Sequence, residues 1–119
     1  MRTTQRKGGI ALSQAIATFT KFGYDVLLPI TESAAYDLVV DINNKLYRIQ
    51  IKYTSNKEID LRNIHSNSNG YVVKKVTEKA YDWLYVYSED GLEYIKKKCL
   101  FGRRSITTTM LNKLTKEIL

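Results

Sequence analysis

Tyr36-Asp37-Leu38-Val39-Val40-Asp41-Ile42, a pair of asparagines at 43 and 44, and Leu46-Tyr47-Arg48-Ile49-Gln50-Ile51-Lys52-Tyr53 together form the stretch on which the fold turns. Both runs are rich in β-branched and aromatic residues, and both alternate. The first reads as a strand over Tyr36–Ile42 and the second as a strand over Leu46–Tyr53. Asn43-Asn44 tolerates the positive φ angles of a two-residue hairpin turn. A symmetric turn there sets Asp41 opposite Leu46, Val39 opposite Arg48 and Asp37 opposite Gln50, with Cβ atoms about 4.5–5.5 Å apart. Arg48, Gln50 and Lys52 then share one face, and Tyr47, Ile49, Ile51 and Tyr53 the other. A slip of one residue would put Asp37 against an isoleucine, so the register is specified by the burial of the apolar face.

Asp37, Gln50 and Lys52 thus converge at the open end of the hairpin. Asp37 offers an anionic oxygen, Gln50 an amide oxygen, and the Ile51 backbone a carbonyl. With water and a phosphate oxygen this set suits octahedral Mg²⁺ or Mn²⁺. Lys52 is placed to hold a phosphate oxygen or the attacking water. Metal beside lysine serves phosphodiester hydrolysis, through polarisation of phosphorus, a lowered water pKa and stabilisation of added negative charge. The same alternation is also what an ordinary half-solvated hairpin shows.

Outward from the hairpin, Leu12, Ala15, Ile16 and Phe19 recur at helical spacing, after Gly8-Gly9 and before a closing Gly23. Asp25–Leu28 reads as a short strand stopped by Pro29. Glu58–Ile64 and Tyr71–Lys75 read as further strands, and Thr77 as the cap of a short helix to Asp82. Trp83–Tyr87 and Leu92–Ile95 flank the turn Glu89-Asp90-Gly91. Met110, Leu111, Leu114 and Ile118 suggest a terminal helix over Thr109–Leu119. The expected class is α/β, with a mixed central sheet flanked by helices.

Composition bounds the rest. A chain of 119 residues with 44% hydrophobic and 26% charged residues fits one folded domain, 1–119. Nineteen Lys and Arg against twelve Asp and Glu leave +7, which favours a polyanionic partner. One cysteine, Cys99, excludes an internal disulfide framework and a multi-cysteine zinc site, in keeping with a cytoplasmic location. No apolar run nears the roughly 20 residues that span a bilayer, and no apolar segment of a signal peptide follows the basic N-terminus.

Cations cluster in two places. Lys96, Lys97, Lys98, Arg103 and Arg104 fall within nine residues that contain no acid, and they suit phosphate contact. Lys57, Arg62, Asn63, Lys74 and Lys75 lie in or beside residues 58–75. If those residues form a β-ribbon, it fits the major groove, where Arg, Asn and Lys read base edges. Lys7 adds a cation from an N-terminal stretch of 24 residues free of acids.

Asp37 with Leu38-Val39-Val40-Asp41, then Arg48-Ile49-Gln50-Ile51-Lys52, resembles the PD-(D/E)xK nuclease signature in its glutamine-bearing form. Lys7-Gly8, the helix, Gly23-Tyr24-Asp25-Val26, Pro29 and the tail Gly102-Arg103-Arg104-Ser105-Ile106-Thr107 are similar to small endonucleases of that superfamily over nearly the whole chain. The similarity is nearest to intron-associated homing endonucleases and more distant to Holliday-junction resolvases. The resemblance implies a restriction-endonuclease-like core of αβββαβ order, dependence on a divalent metal and double-stranded DNA as substrate. It implies Asp37 as the essential metal ligand, Gln50 and the Ile51 carbonyl as further ligands, and Lys52 as charge stabiliser. Many members carry a glutamate on the first helix where this chain has Leu12, beside Ser13 and Gln14. Gln14 and Glu32 are the candidate accessory groups. That departure keeps open a non-catalytic DNA-binding module on the same fold, and the shared core keeps open a junction resolvase. A compact chain of this length spans about 35 Å, roughly one turn of duplex, so two or four copies are expected to act together.

Overall fold

The computed structural model of the chain describes residues 3–67, 70–74 and 79–119. It opens with helix α1, Thr3–Lys21. The helix runs through Gly8 and Gly9 rather than starting after them. Each glycine costs about 1 kcal/mol relative to alanine, and the burial of Ala11, Ala15 and Phe19 against the sheet offsets it. Gly23, at φ +94°, closes α1 as expected. Its N–H donates to Thr20 O at 3.0 Å and the Tyr24 N–H to Phe19 O at 3.1 Å, the paired bonds of a glycine-terminated helix.

The strands in chain order are β1 (Asp25–Leu27), β2 (Leu38–Ile42), β3 (Lys45–Thr54), β4 (Glu58–Asp60), β5 (Asn63–Asn67), β6 (Gly70–Lys74), β7 (Trp83–Ser88), β8 (Glu93–Lys96), β9 (Ser105–Thr107) and β10 (Asn112–Lys113). Six form one sheet in the order β1-β2-β3-β7-β8-β10. Its pairs are antiparallel except β3 with β7, so the sheet is mixed. The fold is α/β, a largely antiparallel sheet with a helix on one face. The hairpin has the expected register, Leu38 opposite Ile49, Val39 opposite Arg48 and Asp41 opposite Leu46. Asn43 and Asn44 sit at φ 53° and 67°.

That register divides the core. Leu38, Val40, Ile42, Ile49 and Ile51 point to the helix side and pack on Ala11, Ala15 and Phe19. On the opposite face Leu84 and Val86 meet Ile59 and Ile106 of the small β4–β9 sheet and Leu61, Tyr81 and Leu100 from the segments between strands. Asp37, Gln50 and Lys52 belong to this second face. Strands β5 and β6 pair with each other in a separate two-stranded sheet, a ribbon in the region expected to hold one.

Two expectations need correction. Thr109–Leu119 is not a helix: it is a 3-10 turn at Thr108–Met110, the edge strand β10, and a second 3-10 turn at Lys116–Ile118. The reason is packing, since Leu111 joins the second core while Leu114 and Ile118 join the first. One helical stripe cannot serve both faces of a sheet. The second helix of the αβββαβ order is also absent from the described residues: 79–82 are turn and bend, while Thr77 lies outside them. No helix among the described residues is long and apolar enough to cross a membrane.

Candidate active site

Strand β2 begins at Leu38, so beyond Ile49 the edge of β3 has no strand on that side. Asp37 closes the gap. Its N–H donates to Ile49 O at 2.9 Å, and its carboxylate oxygen Oδ2 accepts from the Ile51 N–H at 2.8 Å and from Gln50 Nε2 at 3.1 Å. A side chain thus takes the place of the next rung of the ladder. It is thus Gln50 Nε2 that is turned to Asp37, and the amide oxygen stays available as an acceptor.

Backbone direction settles the Ile51 carbonyl. Arg48 O accepts from Asp82 N on the β7 side, and Ile49 O accepts from Asp37 N on the β2 side. Carbonyl direction alternates along a strand, so Ile51 O points to the side of Asp37. The Asp37 carboxylate, the Gln50 amide oxygen and the Ile51 carbonyl therefore supply three hard oxygen donors with one negative charge. That set fits Mg²⁺ or Mn²⁺ completed by water and a phosphate oxygen. No group of three His, Cys, Asp or Glu suited to a metal occurs among the described residues.

Lys52 lies on the same face, and its Nζ donates to the Arg62 carbonyl at 3.3 Å. Burial pushes its pKa down, against the opposing charges of Asp37 and Asp60. Burial likewise pushes the Asp37 carboxyl up, opposed by the Ile51 N–H and by Lys52. Each charge of this pair is thus held in the fold at a cost that the other partly relieves. Lys52 opens into a cleft of about 480 Å³, whose lining includes Lys7, Ile51, Tyr53, Glu58, Asp60 and Arg62.

The remaining expected residues divide between this cleft and elsewhere. Lys7 is in it, its Nζ 5.5 Å from the centre of the Tyr53 ring. Arg62 is in it, paired to Asp60 at 2.8 Å. The pairing of β4 with β9, continued by Leu61 N donating to Arg104 O at 3.0 Å, brings the exposed Arg103 and Arg104 alongside Arg62. Asn63 and Lys74 are opposed in the ribbon; Lys75 lies outside the described residues. Lys57 is at a turn with φ 69°, beside Ser55 and Asp90. Lys96 is on the Asp37 face but on β8, two strands beyond β3. Lys97 turns to the helix face, with Nζ 5.6 Å from the centre of the Trp83 ring.

The accessory candidates are not gathered with Asp37. Gln14 donates to Thr18 Oγ1, which donates to Glu93 Oε2, all on the helix face. Glu32 is exposed in the loop before β2. Leu12 packs on the first core, so the helix presents leucine where a carboxylate was sought. Two residues escaped the sequence reading. Asp82 accepts from the Arg48 N–H at 2.9 Å and pairs with its guanidinium at 3.3 Å, which occupies the other cation of the Lys52 face of β3. Asp60 sits beside Lys52 and holds Arg62; the spacing Asp60-Leu61-Arg62, a carboxylate two residues before an arginine, was the available signal.

Residues 2–95 match the family model described as PD-(D/E)XK endonuclease. A solved bacterial homing endonuclease, I-Ssp6803I, is similar with a TM-score of 0.74 at 26% identity, over 96% of this chain and 79% of that one. No curated protein sequence matches the chain.

Proposed function

The chain belongs to the PD-(D/E)XK endonuclease family, and from that premise we propose that residues 1–119 act as one site-specific, divalent-metal-dependent endonuclease of the homing type, hydrolysing phosphodiester bonds in double-stranded DNA. The observation that carries this is the convergence at the hairpin end, where Asp37 Oδ2 receives the Ile51 N–H at 2.8 Å and Gln50 at 3.1 Å with Lys52 on the same face. Asp37, Gln50 and the Ile51 carbonyl would hold Mg²⁺ or Mn²⁺, which supplies Lewis-acid polarisation of the phosphate and a more acidic water. Lys52 keeps two ammonium protons beyond the one given to Arg62. They are free to bind a non-bridging phosphate oxygen as negative charge builds on it, a contribution of about 10²–10³-fold in rate. Lys7, Arg103 and Arg104 neutralise phosphates beside the cleft, and the β5–β6 ribbon reads the groove.

Homo-oligomerisation belongs to the same reading. The domain measures 43 × 31 × 30 Å, and one site cuts one strand. Edge strand β1 carries Leu27 and ends beside Leu28, 55% exposed, and Ile30, fully exposed, an apolar surface suited to a second copy. Of the apolar residues of the tail named above, Leu111, Leu114 and Ile118 pack on the domain itself, while Met110 stays exposed and could add to such a surface.

The test is incubation with genomic and plasmid DNA, with Mg²⁺, Mn²⁺ or EDTA, and sequencing of the new ends. Ends at a defined sequence, lost in EDTA and in Asp37→Ala and Lys52→Ala, are expected. Full cleavage by either variant, or no metal-dependent ends, overturns the reading. A second reading, a DNA-binding module without cleavage, is favoured by the packing of Leu12 into the core, and DNA binding that persists in EDTA without any cleavage would support it.

A further inference from the structure

Strand β3 fixes the Cα of Lys52 but not its ammonium, which sits at the end of a four-carbon stem with many rotamers. Among the described residues, Nζ donates to the Arg62 carbonyl, at 3.3 Å. Where that carbonyl points therefore decides where the ammonium rests.

Arg62 is not held by a ladder. Strand β4 ends at Asp60, the ribbon strand β5 begins at Asn63, and the chain bends between them. Leu61 anchors the bend from one side, buried in the second core with its N–H on Arg104 O. Asp60 anchors it from the other. Its Oδ1 accepts from the Arg62 backbone N–H at 2.9 Å and from Nε at 3.0 Å, and its Oδ2 accepts from Nη2 at 2.8 Å. Both carboxylate oxygens are thus committed to a single residue, and the bond to the backbone N–H orients the Arg62 residue itself. Asp60 is half-exposed and lies in the cleft of Lys52. It has no stabilising task in either core that would account for this placement.

We propose that Asp60 is a positioning residue for Lys52: it fixes the backbone of Arg62, whose carbonyl sets the ammonium in the cleft, and so ties the lysine to the first residue before the ribbon. The proposal rests on the nuclease reading for its consequence in catalysis. It follows that a ribbon seated in DNA and the lysine that meets the phosphate share one anchor. A displacement of the bend at residues 61–62 is transmitted to Nζ through a single carbonyl. This is a place where binding in the wrong register would lower the rate without lowering affinity.

Two substitutions separate positioning from charge. Asp60→Asn keeps an oxygen for the Arg62 N–H and drops the negative charge. Asp60→Ala removes both. The variants and the wild type are compared by single-turnover cleavage, by DNA affinity in Ca²⁺, and by the rate at which an acylating reagent labels Lys52 in the DNA-free protein, read by mass spectrometry at one pH. Asp60→Ala should cleave about 10- to 100-fold more slowly with DNA affinity retained, and should label faster at Lys52. Asp60→Asn should recover most of the rate and label close to wild type. Wild-type cleavage and labelling in Asp60→Ala would overturn the proposal. So would an Asp60→Asn variant indistinguishable from Asp60→Ala, because charge alone would then act. If the wild type cuts no DNA the nuclease reading fails by itself, and the labelling rates still decide whether Asp60 positions Lys52.

Discussion

Replacing Asp37 separates what the carboxylate does for the fold from what it does for the reaction. In Asp37→Ala the Ile51 N–H loses its acceptor at 2.8 Å and Gln50 Nε2 its acceptor at 3.1 Å. Ile51 is only 8% exposed, so water replaces the acceptor poorly. An unsatisfied buried N–H costs about 1–3 kcal/mol. Asp37→Asn keeps an amide oxygen for the Ile51 N–H and deletes a charge that burial disfavours. The sign follows from the raised pKa, due first to burial: the carboxyl's contribution is present below its ordinary value of 3.8 and is lost as pH rises through the raised value. At pH 7 the ionised group is a burden on the fold, and asparagine removes it. Asp37→Asn should melt at or above the wild type, and Asp37→Ala below Asp37→Asn by roughly 3–18 °C, at about 3–6 °C per kcal/mol for a domain of this size. Circular dichroism melts in EDTA measure the gap, and both variants should have lost metal-dependent cleavage. An alanine variant that melts at or above the asparagine variant would refute the claim that Asp37 completes the β3 ladder.

Lys52→Met should lower cleavage about 10²–10³-fold while leaving the melting temperature equal or higher, since burial already lowers the lysine pKa; single-turnover rates and a melt decide it. Gln50→Glu puts a second carboxylate 3.1 Å or so from Asp37; in EDTA it should lower the melting temperature through repulsion, and Mn²⁺ should restore it at lower concentration than the wild type needs for any shift. Asn44→Val forces a β-branched residue to φ 67° and should cost about 1–2 kcal/mol, read as a lower urea midpoint at unchanged slope.

The parts of this molecule that could be read from sequence are the parts whose partners lie close in the chain. Asp37, Gln50, Ile51 and Lys52 span sixteen residues across a two-residue turn, and alternation plus Asn43-Asn44 was enough to set them in register. The parallel pairing of β3 with β7 crosses a long intervening segment and leaves no periodic trace in either strand. The tail misled for a related reason: Leu111 and Leu114 are three apart, the spacing of one helical stripe, yet they are shared between two cores on opposite faces of the sheet. Only the sheet's position makes that division possible, and the sheet is assembled from distant strands. The same logic applies within the site. The groups that would touch metal or phosphate come from one hairpin, but what surrounds and holds them comes from elsewhere: Asp82 occupies the neighbouring Arg48 from the foot of β7, and Asp60 holds Arg62, and through it Lys52, from β4. A hairpin alone therefore specifies which chemical groups meet. How firmly they are aimed depends on strands that the local pattern does not reveal, and a site built this way can lose rate through residues that its own motif never mentions.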